Sequence, residues 1–210
     1  MNRIFTSLTL AVFSVIFLAS CAGGYNFIKP QQAVYTEPDT GLLKLSYKYD
    51  VLRAAGNKKY VKREINSNIR LVSLKITNND SRSVKFLRDF AIYSDHDFLN
   101  VIPLDVVHTQ LKQRAPLYLL YLLLTPAKLY KTEMQTNGIA KNETIFPVGL
   151  IIGPGIALGN MIRANSANNK FKKELIEYNL FDREIKAGET VYFIIGIKEG
   201  GFRPLSIKKI

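Results

Sequence analysis

The chain has 210 residues, 47% of them hydrophobic, with a formal net charge of +12, one cysteine, two histidines and no tryptophan. A single cysteine excludes an intrachain disulfide and a thiolate zinc site, and beyond Cys21 there is no cysteine nucleophile. Two histidines leave little room for a serine triad or a two-histidine metal centre, and no Gly-x-Ser-x-Gly elbow is present.

In chain order, Arg3 opens a short basic start and an apolar stretch follows from Ile4 to Leu18. Ala19 and Ser20 then precede Cys21. A positive n-region, an apolar h-region and a small-residue cleavage site make a secretory signal over residues 1–20, so fold reasoning starts at Cys21. Leu18-Ala19-Ser20-Cys21 also resembles the lipobox of bacterial lipoproteins. That resemblance implies cleavage before Cys21, a thioether-linked diacylglycerol on its sulfur and an N-acyl chain such as palmitate on its amine. No other cofactor is implied. The alternative is an ordinary secretory signal followed by a chance cysteine. Two acyl chains on one residue belong to the regime of stable membrane attachment. Ala22-Gly23-Gly24 carries no acidic residue, whereas the family's inner-membrane retention signal is an aspartate directly after the cysteine. The resemblance therefore favours the outer membrane, facing the periplasm. Residues 21–32, with Gly23, Gly24, Pro30 and two glutamines, read as a lipidated tether, and residues 33–210 as the folded domain.

Residues 43–51 alternate, with Leu43, Leu45, Tyr47, Tyr49 and Val51 on one face, which predicts a half-buried strand. A short basic segment surrounds Tyr60-Val61. Residues 69–77 are β-rich, but their apolar phase shifts between Leu71 and Val72, which predicts a bulge. Asn78 to Ser81 is a turn; Val84, Phe86, Phe90 and Ile92 mark one or two further strands. Residues 104–112 suggest a short helix capped by Asp105.

Two uncharged stretches follow. One lies between Arg114 and Lys128, with eight consecutive large apolar or tyrosine side chains at 117–124; the other runs from Thr144 to Ile162 with Pro147, Pro154 and glycines at 149, 153, 155 and 159. Helical spacing resumes near Ser166 through Phe171, Leu175 and Tyr178, and strands return at 191–197 and 205–210. Strands at both ends with helices between them predict a mainly β fold with an α insertion. The fold is expected to be a β-sandwich with a helical, strongly apolar insertion at about 104–180. The arrangement resembles immunoglobulin-like domains of bacterial envelope proteins, without their cysteine pair and tryptophan. Three fates are open for segments 117–124 and 145–158: burial against the sandwich, which leads, contact with a partner or lipid, or insertion.

The chemistry-bearing constellations are sparse. Asp95-His96-Asp97, with Asp105 and His108 nearby, offers too few ligands for a hard cation or zinc and reads as a polar turn. Gly153-Pro154-Gly155 with Gly159 looks superficially like a dinucleotide loop, but Pro154 removes a donor the phosphate would need. The pairs 149/153 and 155/159 also permit close helix approach. Glu174 and Glu177 on a lysine-rich helix read as surface salt-bridge partners. Groups such as Lys58, Lys59, Lys62, Arg63 and Lys170, Lys172, Lys173 would fit anionic lipid, lipopolysaccharide or peptidoglycan, or simply form a solvated surface. Export argues against nucleic acid. The sequence thus predicts a non-enzymatic, lipid-anchored envelope module with the membrane, an anionic lipid or an envelope protein as partner. The alternative is a cell-wall hydrolase with an unrecognised site.

Overall fold

The computed structural model describes residues 21–37, 41–95, 97–134, 140–198 and 201–210, and for 129–146 the backbone alone. The expected signal segment 1–20 and His96 lie outside the described residues. The chain divides into two compact units. One comprises Gly24–Gln113 and Ala167–Ile210; the other comprises Arg114–Ser166 together with residues 21–23.

The larger unit is built around β2 (Arg70–Asn78), which pairs antiparallel with β1 (Leu43–Lys48) on one side and β10 (Thr190–Ile197) on the other. With β6 (Val101–Ile102) the order is β1-β2-β10-β6. A second antiparallel sheet has the order β11-β4-β5, from Leu205–Lys209, Phe90–Ser94 and Asp97–Phe98. A small pair joins β3 (Val84–Lys85) to β9 (Glu184–Ile185). Leu45, Leu74, Ile76, Phe90, Ile92, Phe193 and Ile195 are among the side chains of one apolar core drawn from these sheets.

The other face of the large sheet is also covered, which explains the misread phase of β2. Leu71 and Ile194 face a second core of helical side chains: Leu52 from α1 (Val51–Ala54), Tyr60 from α2 (Lys58–Ser67) and Val107 and Leu111 from α3 (Leu104–Leu111). Phe171 and Leu175 come from α4 (Gly149–Glu177), which contributes its residues from Ala167 onward to this unit. A strand buried on both faces reads as a continuous apolar run rather than an alternation. The pairings of β2 with β1 and β10 run without a register shift, so the expected bulge between Leu71 and Val72 is absent. Gly196 makes this layering possible, because a Cβ there would lie 2.3 Å from Val107 Cγ2.

The protein is therefore a mixed α and β structure with antiparallel sheets and four helices among the described residues, which meets the mainly β expectation only in part. The helical share exceeds the expectation because the basic segment around Tyr60-Val61 is the helix α2, and prolines and glycines mask the helical pattern of the first part of α4. Asp105 sits in the first turn of α3 rather than capping it; Pro103 holds that place. Strand β1 ends at Lys48, and Val51 turns away into the helical core.

The smaller unit holds a 3-10 segment (Ala115–Leu124), the hairpin of β7 (Leu129–Met134) with β8 (Ala140–Phe146), and the first part of α4.

Candidate functional site

A 3-10 helix repeats every three residues, so side chains three apart eclipse one another. In Ala115–Leu124 this sorts the apolar run into rows. Leu117, Leu120 and Leu123 form the outer row, exposed by 54%, 63% and 76%. Tyr118, Tyr121 and Leu124 form the half-buried row, and the two tyrosine rings stack with centroids 6.4 Å apart and planes 2° off parallel. The expected burial of 117–124 is overturned: five of its leucines are exposed.

The first part of α4 carries the same inversion. Its inward positions are small or polar: Gly149, Gly153, Ala157, Asn160 and Ala164 are buried. Its outward positions are large and aliphatic: Leu150, Ile151, Ile152, Leu158 and Ile162 are exposed. An ordinary surface helix does the opposite. The glycines are there for contact. A Cβ on Gly149 would lie 2.2 Å from the Leu124 carbonyl oxygen, and one on Gly153 would lie 2.9 Å from Thr125 Oγ1. The 149/153 pair thus seats the helix against the end of the 3-10 segment. Gly155 and Gly159 meet nothing within 4 Å, so the second pair has no such role.

Cys21 is exposed and belongs to this unit. Its neighbour Ala22 is buried with Ala115 and Ala164, beside Tyr118 and Met161. The Ala22 N–H donates to Asn160 Oδ1 at 2.7 Å, which fixes the backbone next to Cys21 on α4. Burial, with smaller contributions from Tyr121 and Cys21, raises the Tyr118 hydroxyl above its ordinary range. Among the described side chains of this unit the charged ones are Arg114, Lys128 and Arg163, and all three are exposed. Among the described residues no helix is long and apolar enough to cross a membrane.

In the larger unit, the segment expected to be a free tether is packed from Tyr25 onward. Glu174 is the reason. It is 1% exposed and accepts the Tyr25 hydroxyl at 2.5 Å, the Ile28 N–H at 2.8 Å and the Lys29 N–H at 3.1 Å. Burial pushes the Glu174 carboxyl up while these donors pull it back. Asn57 holds Asn26 from the other side through its backbone N–H and carbonyl. Glu174 is therefore a clamp for otherwise unpaired backbone donors, not the surface partner expected; Glu177 alone is exposed. A cleft of about 690 Å³ beside this segment is lined by Lys29, Lys48 and Lys170 and by no carboxylate.

A second cleft, of about 210 Å³, gathers Asp50, Arg53, Glu64 and Arg70. Glu64 accepts the Leu71 N–H at 2.8 Å, and burial, partly offset by that bond, lifts its carboxyl to about 7. Arg70 pairs with Asp50 at 3.2 Å and lies 4.2 Å over the Phe202 ring. Both carboxylates are engaged in holding β2 and the chain before α1. Sequence reasoning missed Glu64, although its place four residues after Tyr60 puts both on one buried helical face.

The Asp95–Asp97 turn joins β4 to β5, with Asp95 at φ 53° and Asp97 exposed. Asp105 and His108 lie on α3, where His108 packs 5.9 Å from the Phe171 ring and burial lowers its pKa. Among the described residues no three histidine, cysteine or acidic side chains are grouped as a metal would require. No protein-family model, no curated protein and no solved structure matches this chain.

Proposed function

We propose that this chain is a non-catalytic, lipid-anchored interaction module of the bacterial cell envelope. Cys21 carries a diacylglycerol thioether and an N-acyl chain, and the domain stands on the periplasmic face of the outer membrane. The observation that carries the reading is the placement of Cys21 in a unit whose large aliphatic side chains point outward. In the larger unit, two antiparallel sheets around one core support an immunoglobulin-like sandwich, with helices added to the outer face of the larger sheet. The lysine-lined cleft beside Tyr25–Lys29 suits an anionic envelope component.

Replacing Cys21→Ser tests the anchor. Metabolic labelling with a fatty-acid probe should mark the wild-type chain and leave the variant unmarked and its signal uncleaved. Equal incorporation in both would defeat the lipoprotein reading.

The cleft with Asp50 and Glu64 is the observation that favours the second reading, a cell-wall hydrolase. A protonated Glu64 at neutral pH would be a general acid. Against it stands the engagement of both carboxylates by Leu71 and Arg70. Release of cell-wall fragments by the wild type, abolished by Glu64→Gln, would establish the hydrolase.

A further inference from the structure

We infer that the outward aliphatic row of the smaller unit enters the acyl-chain layer of the leaflet that holds the Cys21 lipid, as a wedge beside the anchor. This rests on the lipoprotein reading for which leaflet is entered, but the wedge itself is carried by three independent features.

The first is packing order. Between helices inside a membrane, close contact is made by small residues while large aliphatic ones face lipid. Gly149, Gly153, Ala157 and Ala164 are buried on α4 while Leu150, Ile151, Leu158 and Ile162 are exposed, with the Gly149 and Gly153 contacts against the 3-10 segment too tight for any side chain.

The second is composition. A protein-docking face typically concentrates aromatic, methionine and arginine side chains at its centre with a polar rim. Here the exposed surface is leucine and isoleucine, while Tyr118, Tyr121 and Met161 are drawn inward. Arg114, Lys128 and Arg163, the charged side chains described in the same unit, are exposed cations that suit the headgroups of an anionic leaflet.

The third is length. The 3-10 segment has 10 residues and so extends roughly 20 Å at about 2 Å per residue. That is short of the roughly 30 Å hydrocarbon core, which fits entry into one leaflet rather than a span. Cys21 lies next to Ala22, which Asn160 binds on α4, so the acyl chains and the aliphatic row leave the same unit.

The absence of tryptophan from the whole chain provides the test, because one introduced indole reports without background. Leu120→Trp, Leu123→Trp and Ile151→Trp are made singly in the full chain and purified from membranes. Each is reconstituted in vesicles of phosphatidylethanolamine and phosphatidylglycerol, with or without brominated acyl chains. All three should emit at blue-shifted wavelengths and lose roughly half of their emission to brominated lipid, as expected for side chains a few ångströms into the acyl boundary. The same three variants in the mature chain from residue 21 with Cys21→Ser, which carries neither acyl chain nor signal, should keep the quenching. The fatty-acid probe separately reports whether Cys21 is lipidated, so failure of the anchor and failure of the wedge are distinguishable. Emission that is water-like, or blue-shifted but indifferent to bromine, would overturn the wedge; the latter would mean that protein covers the row. Three separate positions keep the result independent of the folding of any one variant.

Discussion

Glu64 shows how a single side chain ties stability to pH. Its carboxyl stands at about 7 in the folded chain against an ordinary value of 4.5. Between those values the folded state holds a proton that the unfolded state has lost. Its contribution is thus fully present below about 4.5 and is lost as pH rises through about 7. The difference amounts to roughly 3 kcal/mol. Glu64→Gln keeps an acceptor for the Leu71 N–H and removes the titration, so it should stabilise the chain at pH 8 and change little at pH 4. Urea melts at both values check this; an equal effect at the two would mean that Glu64 does not titrate in this window. Two glycines on α4 make a second contrast. Gly149→Ala must displace the Leu124 carbonyl and should cost about 1–3 kcal/mol. Gly155→Ala meets nothing and should be neutral or gain up to about 1 kcal/mol. Limited proteolysis within 114–166 would separate the two. At this scale Cys21 could be singled out as the proposed acylation site, because the resemblance to a lipobox rests on a local pattern. Glu174 was hidden, because nothing in a lysine-rich helix announces that its partners are backbone donors at residues 28 and 29.

Among the elements, β1 was the most legible, since one of its faces meets the sheet core and the other is partly open. Leu45 is 1% exposed and Lys44 is exposed, so Leu45→Asp should cost roughly 3 kcal/mol or more while Lys44→Asp is nearly neutral. Thermal melts giving similar losses for both would contradict the register Leu45↔Ile76. β2 was misread because alternation is visible only when one face is wet. The run 117–124 was misread for a related reason: a stretch of apolar side chains announces that something covers it, not what. With Leu120 and Leu123 outward, Leu120→Ala and Leu123→Ala should each shift the melt of the lipid-free chain by no more than about 0.5 kcal/mol. A loss of several kcal/mol from either would restore the burial expected from sequence.

At the scale of the molecule, the sequence conveyed strands near both ends of the folded region with helices between them, but not that sheets and helices share the larger unit. The cause is non-local: the second core joins Tyr25, Tyr60, Val107 and Phe171, which lie far apart in the chain and in segments with different local signals. Residues 33–210 read as one domain with an insertion, and the uncharged stretches from Arg114 to Lys128 and from Thr144 to Ile162 do not by themselves announce a second unit. Nor was it legible that the smaller unit contains Cys21, because that depends on the packing of Ala22 and its bond to Asn160. The sharing of one unit by Cys21, the proposed anchor, and an outward aliphatic surface is the central claim, and vesicle flotation tests it most directly. The mature chain from residue 21, carrying Cys21→Ser so that no acyl chain is present, is mixed with phosphatidylethanolamine and phosphatidylglycerol vesicles. It should float with them, and Leu120→Lys with Leu123→Lys in the same chain should leave it at the bottom of the gradient. A non-acylated chain that stays behind without those lysines would contradict the account.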